Sequence, residues 1–521
     1  MTREETLALL NADAPVALKN LQQLVAENPF PPKGTDVNNH IHTTYSFSPY
    51  SPTAAVYFAR MAGLATCGLM DHDSIAGAEE FLAAADVAGM AATIGMECRA
   101  SFAGTPFGNR KLNNPDQSGV LYMTLHGVPH NRAAELNEAF APYRTKRNDR
   151  NRRMVEAING MMGRYGVTID FDRDVLPLSN YAKGGTVTER HLSSALAYRM
   201  LDVIGSGEKL IAFIKNELQL PISGKIEGYL LDENNPHRMY DLLGWIKSQL
   251  IARFYIDATD ELPTVREALD LSERIGAISA AAYLGDVGDS VTGDKRAQKF
   301  EDDFLDELIA YYAELGFRAV TYMPSRNTKA QLTRLRALCE GAVFIALAQV
   351  LSYLKLFELP QGGSITIEML PIFLYCARWG FGPGMLASFA YSILQAVLSS
   401  TYAWTWQSLI GDYLLAFTVL GFAGACSKLK GGFFIGTVVG SVARFLVHYV
   451  VGATIWAEYM PETFFGLTMT SPWFYSALYN GSFMLIDMVL VLIVGALLWK
   501  PLKKYITGED LRGAASAKNE G

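Results

Sequence analysis

At Gly341 the chain changes its preferred solvent. "RALCE" (336–340) ends a stretch with the charge density of a water-soluble protein, and "GAVFIALAQVLSYL" (341–354) has the composition of a bilayer-crossing helix. No Gly/Ser/Pro linker stands between them. Long apolar runs with almost no charge are stable in hydrocarbon, and there only as helices or closed barrels. The chain therefore has to fold as two parts that obey different rules. Residues 341–521 carry 10 Lys or Arg and 9 Asp or Glu, most of them between apolar runs, whereas residues 1–340 carry 35 and 43, a net −8 body.

The opening "MTREETLALLNADAP" has neither the basic start nor the apolar centre of a signal peptide, so the front part is expected to stay in the cytoplasm. Cys67, Cys98, Cys339, Cys376 and Cys426 form no Cys-x-x-Cys pair and read as buried, inert thiols.

In the back part six spans are predicted, near 341–357, 365–380, 383–400, 407–425, 432–455 and 475–498. Arg334 and Arg336 precede the first, and Arg378 ends the second. Lys428 and Lys430 follow the fourth, and Lys500, Lys503 and Lys504 follow the sixth. The turns "SSTYAWTW" and "AEYMPETFFGLTMTSPW" have neither Lys nor Arg. Basic clusters mark cytoplasmic loops, so a multi-pass protein of the cell membrane with both termini in the cytoplasm is expected.

That orientation gathers particular residues at the outer end. Asp412 lies one to two turns into the fourth span, His448 and Trp456 near the outer end of the fifth, and Tyr475, Tyr479 and Asn480 at the start of the sixth, with Trp404 and Trp406 in the loop above. An ionisable group in lipid costs several kcal/mol unless paired or wetted, which makes Asp412 a functional candidate. A carboxylate beside aromatic rings suits an organic cation. His448 and Asn480 both donate and accept, as a heteroaromatic amine requires. The competing readings are that the tryptophans are interface anchors and that Asp412 is a structural partner of His448. Arg444 is expected nearer the bundle core, and Asp487 has no assigned role.

"GGSITIEMLPIFLYCARWGFGPGMLASF", "WQSLIGDYLLAFTVLGFAGAC", "ARFLVHYVVGATIWAEYMP" and "WFYSALYNGSF" together resemble the ThiT family, the thiamine-specific S components of energy-coupling-factor transporters. The likeness spans about 340–505. It implies an all-α six-helix transmembrane bundle that captures thiamine from outside, with Asp412, His448, Trp456, Tyr475, Asn480 and Tyr391 around the ligand. Some family members carry Glu at the position of Asp412, and some a Trp before span two where this chain has Ser364. There is no G-x-x-x-x-G-K-[ST] loop. The resemblance assigns energy supply to a transmembrane coupling subunit and two ATPase subunits, docked through small residues such as Ala342 and Ala346 on the first span.

The front part alternates short apolar segments with amphipathic ones. "DVNNHIH", "CGLMDHD", "AATIGMECRA", "VLYMTLHGV", "GAISAAAYLG" and "RAVTYMPS" read as strands, and 53–63, 75–87, 301–315 and 328–340 as helices, the rhythm of an α/β barrel. Polar residues fall where strands end: His40 and His42, then Asp71 and His72, then Glu97, then His126. On a parallel barrel those ends converge on one face, and imidazole with carboxylate suits Zn, Mn or Fe. His191, in "TERHL", is expected to join them; His130 and His237 read as surface or supporting residues.

"HIHTTYSFSPYSP", "LMDHDSIAGAEEF", "IGMECRAS" and "TERHL" resemble the PHP (polymerase and histidinol phosphatase) family of metal phosphoesterases, over about 36–338. This implies a distorted (β/α)7 barrel with a di- or trinuclear metal cluster held by His40, His42, Asp71, His72, Glu97, His126 and His191. The family's late Asp-x-His pair has no counterpart; Asp286 and Asp289 stand in that region. After helix 328–340 the barrel's last strand is missing, so an open edge is expected. "YRTKRNDRNRRM" reads as a solvated helix face, or as a basic patch that steers phosphate.

Across the boundary the helical pattern continues, predicting one helix, or two nearly collinear, over about 328–357. The expected organisation is a helical extension (1–35), a PHP-like domain (36–338), a membrane domain (339–505) and a polar tail (506–521). The expected function is thiamine uptake with a cytosolic PHP-like appendage; the alternative is a membrane-anchored metal phosphoesterase. No nucleic-acid module is present in the sequence.

Overall fold

The structure, a computed structural model, describes residues 1–287, 298–323, 326–359, 362–398 and 405–513. It divides into two units, Met1–Asn327 and Thr328–Gly521.

The first unit is built on six strands: β1 (Val37–Ile41), β2 (Thr66–His72), β3 (Ala91–Ser101), β4 (Val120–His126), β5 (Ile278–Tyr283) and β6 (Ala319–Tyr322). They pair in chain order and β6 does not return to β1, giving an open, curled half-barrel. All six predicted strands are present. The direction of one differs from expectation. β1, β2 and β3 run parallel, as do β5 and β6, but β4 is antiparallel to both its neighbours. The cause is the connection 102–119, which forms no helix. A parallel partner needs a crossover over the sheet, usually helical, whereas a returning loop gives an antiparallel one.

Helices α1 (Arg3–Leu10) and α2 (Ala14–Glu27) precede the sheet, and α3 (Pro52–Met61) and α4 (Ala78–Val87) follow β1 and β2. Next come α5 (Ala133–Met162), α6 (Glu189–Val203) and α7 (Arg238–Gln249). These three share a core of Met154, Ile158, Leu192, Leu196, Leu242 and Trp245. α8 (Val265–Ile275) precedes β5, and α9 (Leu305–Leu315) precedes β6.

The basic run on α5 is solvated on one face only, at Lys146, Arg152 and Arg153. Arg144, Arg147 and Arg150 recur every third residue, point inward and are only 5%, 4% and 1% exposed. Arg147 reaches Asp73 at 2.5 Å and Glu189 at 2.8 Å. Arg150 pairs with Glu189 and, at 2.7 Å, with Glu261. Arg99, from β3, meets Glu261 at 2.5 Å. Three guanidinium groups and three carboxylates thus cancel inside the unit, as buried charge requires. Asp73, directly after His72, has φ of 50°. Arg147 holds its side chain, so the network braces the end of β2.

The second unit opens with α10 (Lys329–Ser352), a single helix through the compositional boundary. Thr328 and Gln331 form its capping box. Gly341, a weak helix former, has a packing reason. A Cβ there would lie 3.2 Å from the Tyr375 hydroxyl, which donates to the Ala337 carbonyl at 2.8 Å. α11 (Met369–Trp379), α12 (Phe381–Leu398), α13 (residues 406–426), α14 (Gly432–Thr454) and α15 (Pro472–Ile506) complete the bundle. Among the described residues five of these helices, α10 and α12–α15, are long and apolar enough to cross a bilayer.

The predicted second span is the shortest element of the bundle. Residues 364–365 pair with 357–358 in a two-stranded ribbon, and Gly380, at φ 83°, ends α11 after 11 residues. Such a helix is about 16 Å long, against a hydrocarbon thickness of about 30 Å. All five cysteines are free; four are buried and Cys339 is half-buried.

Candidate functional site

In the first unit the ends of β1, β2 and β3 bring imidazoles to one carboxylate. His40, His42 and Glu97 place one ligand atom each within 4.8 Å of one another. Glu97 Oε2 lies 3.6 Å from His40 Nε2, 3.7 Å from His42 Nε2 and 3.1 Å from His72 Nδ1. The His42 and His72 rings stack at 4.6 Å. Burial would raise the Glu97 pKa, but the three histidines hold it below the carboxylate range. Burial depresses His42 and His72, favouring neutral rings with free lone pairs. It opposes protonation of His40 too, but the hydrogen bond and charge of Glu97 outweigh it and raise that pKa. Two neutral imidazoles beside an ionised carboxylate fit a divalent cation. His42 Nδ1 and His126 Nε2 are buried without hydrogen-bond partners, so both retain bonding capacity.

The remaining predicted ligands sit differently. Asp71 accepts hydrogen bonds from Thr43 N–H (2.6 Å), Thr43 Oγ1 (2.5 Å) and Ser46 Oγ (2.6 Å), and so ties down the segment after β1. His126 approaches from the antiparallel β4. Its register places it beside Gly95, one pleat below Glu97 and on the same face. Burial pushes its pKa down to about 4. His191 starts α6 and is 2% exposed. The Thr188 N–H donates to its Nδ1 at 2.9 Å, which leaves the proton of the neutral ring on Nε2. His130 and His237 are exposed. Asp286 Oδ1 accepts from Phe300 N–H at 2.8 Å, and Asp289 lies outside the described residues.

In the second unit α13 begins at a Thr405 cap and widens into a π-helical turn over Leu409–Leu415, with Asp412 in its middle. π-turns are frequent at functional positions because they turn a side chain out of helical phase. Gly411 makes room for the contact with α14. A Cβ there would meet Val451 at 2.6 Å. Asp412 Oδ1 lies 2.8 Å from His448 Nδ1, and Oδ2 accepts from Trp456 Nε1 at 2.9 Å and Ser408 Oγ at 3.2 Å. His448 Nε2 is buried and unpartnered. Asn480 donates to the His448 carbonyl at 3.3 Å. Tyr475 packs one turn away in an aromatic group with Phe464 (5.5 Å) and Tyr479 (5.8 Å). The Tyr479 hydroxyl receives Gly363 N–H at 3.0 Å, where the chain runs against Phe483 without a side chain of its own. Trp406 is 69% exposed, and Trp404 lies outside the described residues.

Tyr391 is not among these. Fully buried, it donates to Glu368 Oε2 at 3.1 Å and receives Gln395 Nε2 at 2.7 Å. Glu368 Oε1 pairs at 3.2 Å with Arg444, whose guanidinium lies 4.1 Å from the centre of the Phe417 ring. Asp487 accepts the Thr366 N–H at 2.9 Å. A second buried polar group therefore lies one helical turn along α14 from His448. Glu368 had the same signal as Asp412, a lone acid in an apolar run.

Comparison with known proteins separates the two units. A family model described as thiamine transporter protein matches residues 338–507. The thiamine transporter ThiT of Bacillus subtilis is 31% identical over 198 residues, covering 35% of this chain and 98% of that protein. ThiT of Lacticaseibacillus paracasei is 26% identical over 186 residues, covering 32% and 89%. A crystal structure from Bifidobacterium adolescentis, whose name proposes a metal-dependent phosphoesterase, is 20% identical, with a TM-score of 0.36 over 59% of this chain and 84% of that one. The near-complete coverage of the Bacillus protein by the membrane unit decides the matter: through its second unit this chain belongs to the thiamine transporter family.

Proposed function

We propose that the membrane unit is the S component of an energy-coupling-factor transporter and captures thiamine from the outer side of the bilayer. The observation that carries this reading is the Asp412 carboxylate, held in a π-turn by His448, Trp456 and Ser408. In this reading Asp412 neutralises the thiazolium, and the rings of Trp456 and Tyr475 pack against it. His448 Nε2 and the Asn480 amide pair with the aminopyrimidine. Tyr391 acts through Glu368 rather than by touching the vitamin. Both termini are cytoplasmic, and α11 counts as a short sixth span. A coupling subunit, working with two ATPase subunits, docks on α10, where Ala342 and Ala346 are exposed on one face.

The test is thiamine titration of the full-length protein, followed by tryptophan quenching. Saturable binding is expected for the parent. Asp412→Ala and His448→Ala should each weaken it by roughly 30-fold or more, because each leaves a buried polar partner unpaired. A parent protein that does not bind thiamine overturns the reading.

For the first unit we propose a PHP-type metal phosphoesterase domain, with His40, His42 and Glu97 as core ligands to Zn, Mn or Fe and His72, His126, Asp71 and His191 around them. A bound divalent ion would supply Lewis acidity and an activated water. This chain's residues would do the positioning: Glu97 provides the anionic ligand, Asp71 fixes the segment after His42, and His191 Nε2–H donates to the phosphoryl oxygens. The second reading of the whole chain, a membrane-anchored phosphoesterase, rests on the same cluster. Elemental analysis and turnover of a generic phosphomonoester, with and without His40→Ala and His42→Ala, test it. Turnover without thiamine binding would favour that second reading.

A further inference from the structure

A cavity of about 630 Å³ opens at the lysine-bearing end of the membrane unit, between the turn joining α13 to α14 and the last turns of α15. Phe433, Phe434 and Trp499 line it, together with Lys430, Lys503 and Ser427. The rings of the wall pack on one another: the Trp499 ring centre lies 5.3 Å from that of Phe434 and stacks at 6.4 Å on Phe433. The joining turn is drawn tight by two glycines. Gly431 has φ of 73°, and a Cβ on Gly432 would fall 2.2 Å from the Cys426 carbonyl oxygen. The turn and the first residues of the 23-residue α14 line the cavity.

The charges at this end are unevenly matched. Arg378 is fully engaged by Glu340, Asp510 and the Tyr505 carbonyl. Among the described residues, neither Lys430 nor Lys503 has a carboxylate within 4 Å. Two unpaired ammonium groups and a helix N-terminus thus share a cavity with three aromatic rings. Beside it the flanks of α14 and α15 expose apolar side chains, including Ile435 and Leu497.

We infer that this cavity binds the headgroup of an anionic phospholipid from the leaflet that the positive-inside rule places here. The phosphate would sit between Lys430 and Lys503 at the start of α14, the glycerol against Trp499, and the acyl chains along the exposed flanks of α14 and α15. The aromatic and apolar walls select a lipid over a free anion, which would gain nothing from them. The inference needs only this end of the bundle to face that leaflet and is independent of thiamine binding.

Native mass spectrometry of the full-length protein, loaded with equal phosphatidylglycerol and phosphatidylcholine, reads the preference. Phosphatidylglycerol should be retained about fivefold over phosphatidylcholine. The pair Lys430→Ala and Lys503→Ala should bring retention to the phosphatidylcholine level, while Lys500→Ala with Lys504→Ala changes it less than about twofold. Equal loss in both pairs would mean diffuse surface charge, and no loss in the first would place the lipid elsewhere; either overturns the inference. So would inorganic phosphate displacing the lipid, since that would make the cavity a free-anion site. A readout needing no lysine variant is quenching by brominated phosphatidylglycerol. It should exceed quenching by brominated phosphatidylcholine, and the excess should vanish in Trp499→Phe. Equal quenching by the two lipids also sinks the proposal.

Discussion

The two units bury charge under different constraints, and the contrast shows where function lies. In the first unit most buried ions are structural. Arg99, Arg147, Arg150, Asp73, Glu189 and Glu261 neutralise one another, and among the described residues the buried nitrogen lone pairs left unused, on His42 and His126, belong to the group around Glu97. In the second, few charged groups lie away from water among the described residues: Glu368, Arg444 and Asp487 are buried, and Asp412 and His448 half-buried. Water competes for charges in the first unit during folding, so a balanced network is tolerable there. In hydrocarbon an ion without a task is selected against. A buried charge is therefore weak guidance to function in the first unit and strong guidance in the second.

The contrast breaks most visibly at Glu189. It faces both Arg147 and Arg150; burial would raise its pKa, but those guanidinium groups hold it well below the carboxylate range. Glu189→Ala leaves the three buried guanidinium groups against two carboxylates, Asp73 and Glu261, and should cost about 3–5 kcal/mol in the first unit. Chemical denaturation of the full-length protein should show the first transition moving and the membrane unit's thiamine titration unchanged. A small cost would mean that the arginines find other partners.

Asp412→Asn is the matching test in the second unit. The amide keeps the size of the carboxylate and one acceptor for Trp456, but loses the charge. Thiamine affinity should fall by roughly 30- to 1000-fold, with little change in the thermal midpoint. An equal loss of stability and binding would make Asp412 a structural partner of His448.

Glu97 sharpens the comparison from the other side. If the lone pairs of His40 and His42 are there for a cation, saturating Zn or Mn at about 100 times its dissociation constant should stabilise the first unit by about 2.7 kcal/mol. Glu97→Gln should abolish most of that gain, and EDTA should reverse it. Unlike Glu189→Ala, Glu97→Gln should leave the metal-free protein nearly as stable as the parent, since His40, His42 and His72 can then stay neutral.

Much of this was legible in the sequence because it is written locally. The six strands follow from short apolar segments bounded by turns, and Asp412 from being alone in an apolar run. What was not legible depends on distant partners. The "YRTKRNDRNRRM" run resembles a solvated face until Glu189 and Glu261 are brought beside it. The reversal of β4 depends on a loop that could have held a crossover. The shortness of α11 comes from the ribbon 357–358/364–365, which hydropathy does not register. Glu368 was missed because it falls near the start of a predicted span, where an acid passes for an interface residue.

Acidification should separate the units further. Burial pushes His191 down to about 3, against about 6.5 in an unfolded chain. A depressed histidine pKa means that the fold favours the neutral ring. Its contribution is complete above pH about 6.5 and is lost as pH falls toward the folded value, by about 1.4 kcal/mol per pH unit. Moving from pH 7 to pH 5 should therefore cost the first unit about 2 kcal/mol from this residue. His191→Gln should flatten that dependence, and an unchanged slope would exclude His191 as its source.

The smallest effect is expected at the boundary helix, and it asks whether α10 needs its first turns. Thr328 and Gln331 cap it reciprocally: Gln331 N–H donates to Thr328 Oγ1 at 3.3 Å and Thr328 N–H to Gln331 Oε1 at 2.8 Å. Losing an N-cap hydroxyl costs about 1 kcal/mol. Farther along, α10 is held independently, by Tyr375 on Ala337 and by Arg378 on Glu340. Thr328→Ala should therefore fray the first turns, seen as faster amide exchange before residue 337, while thiamine affinity stays within about twofold of the parent. A larger loss of affinity would show that the segment before the family match is part of the transporter's working fold. No loss would show that thiamine binding does not depend on an intact cap at the start of α10.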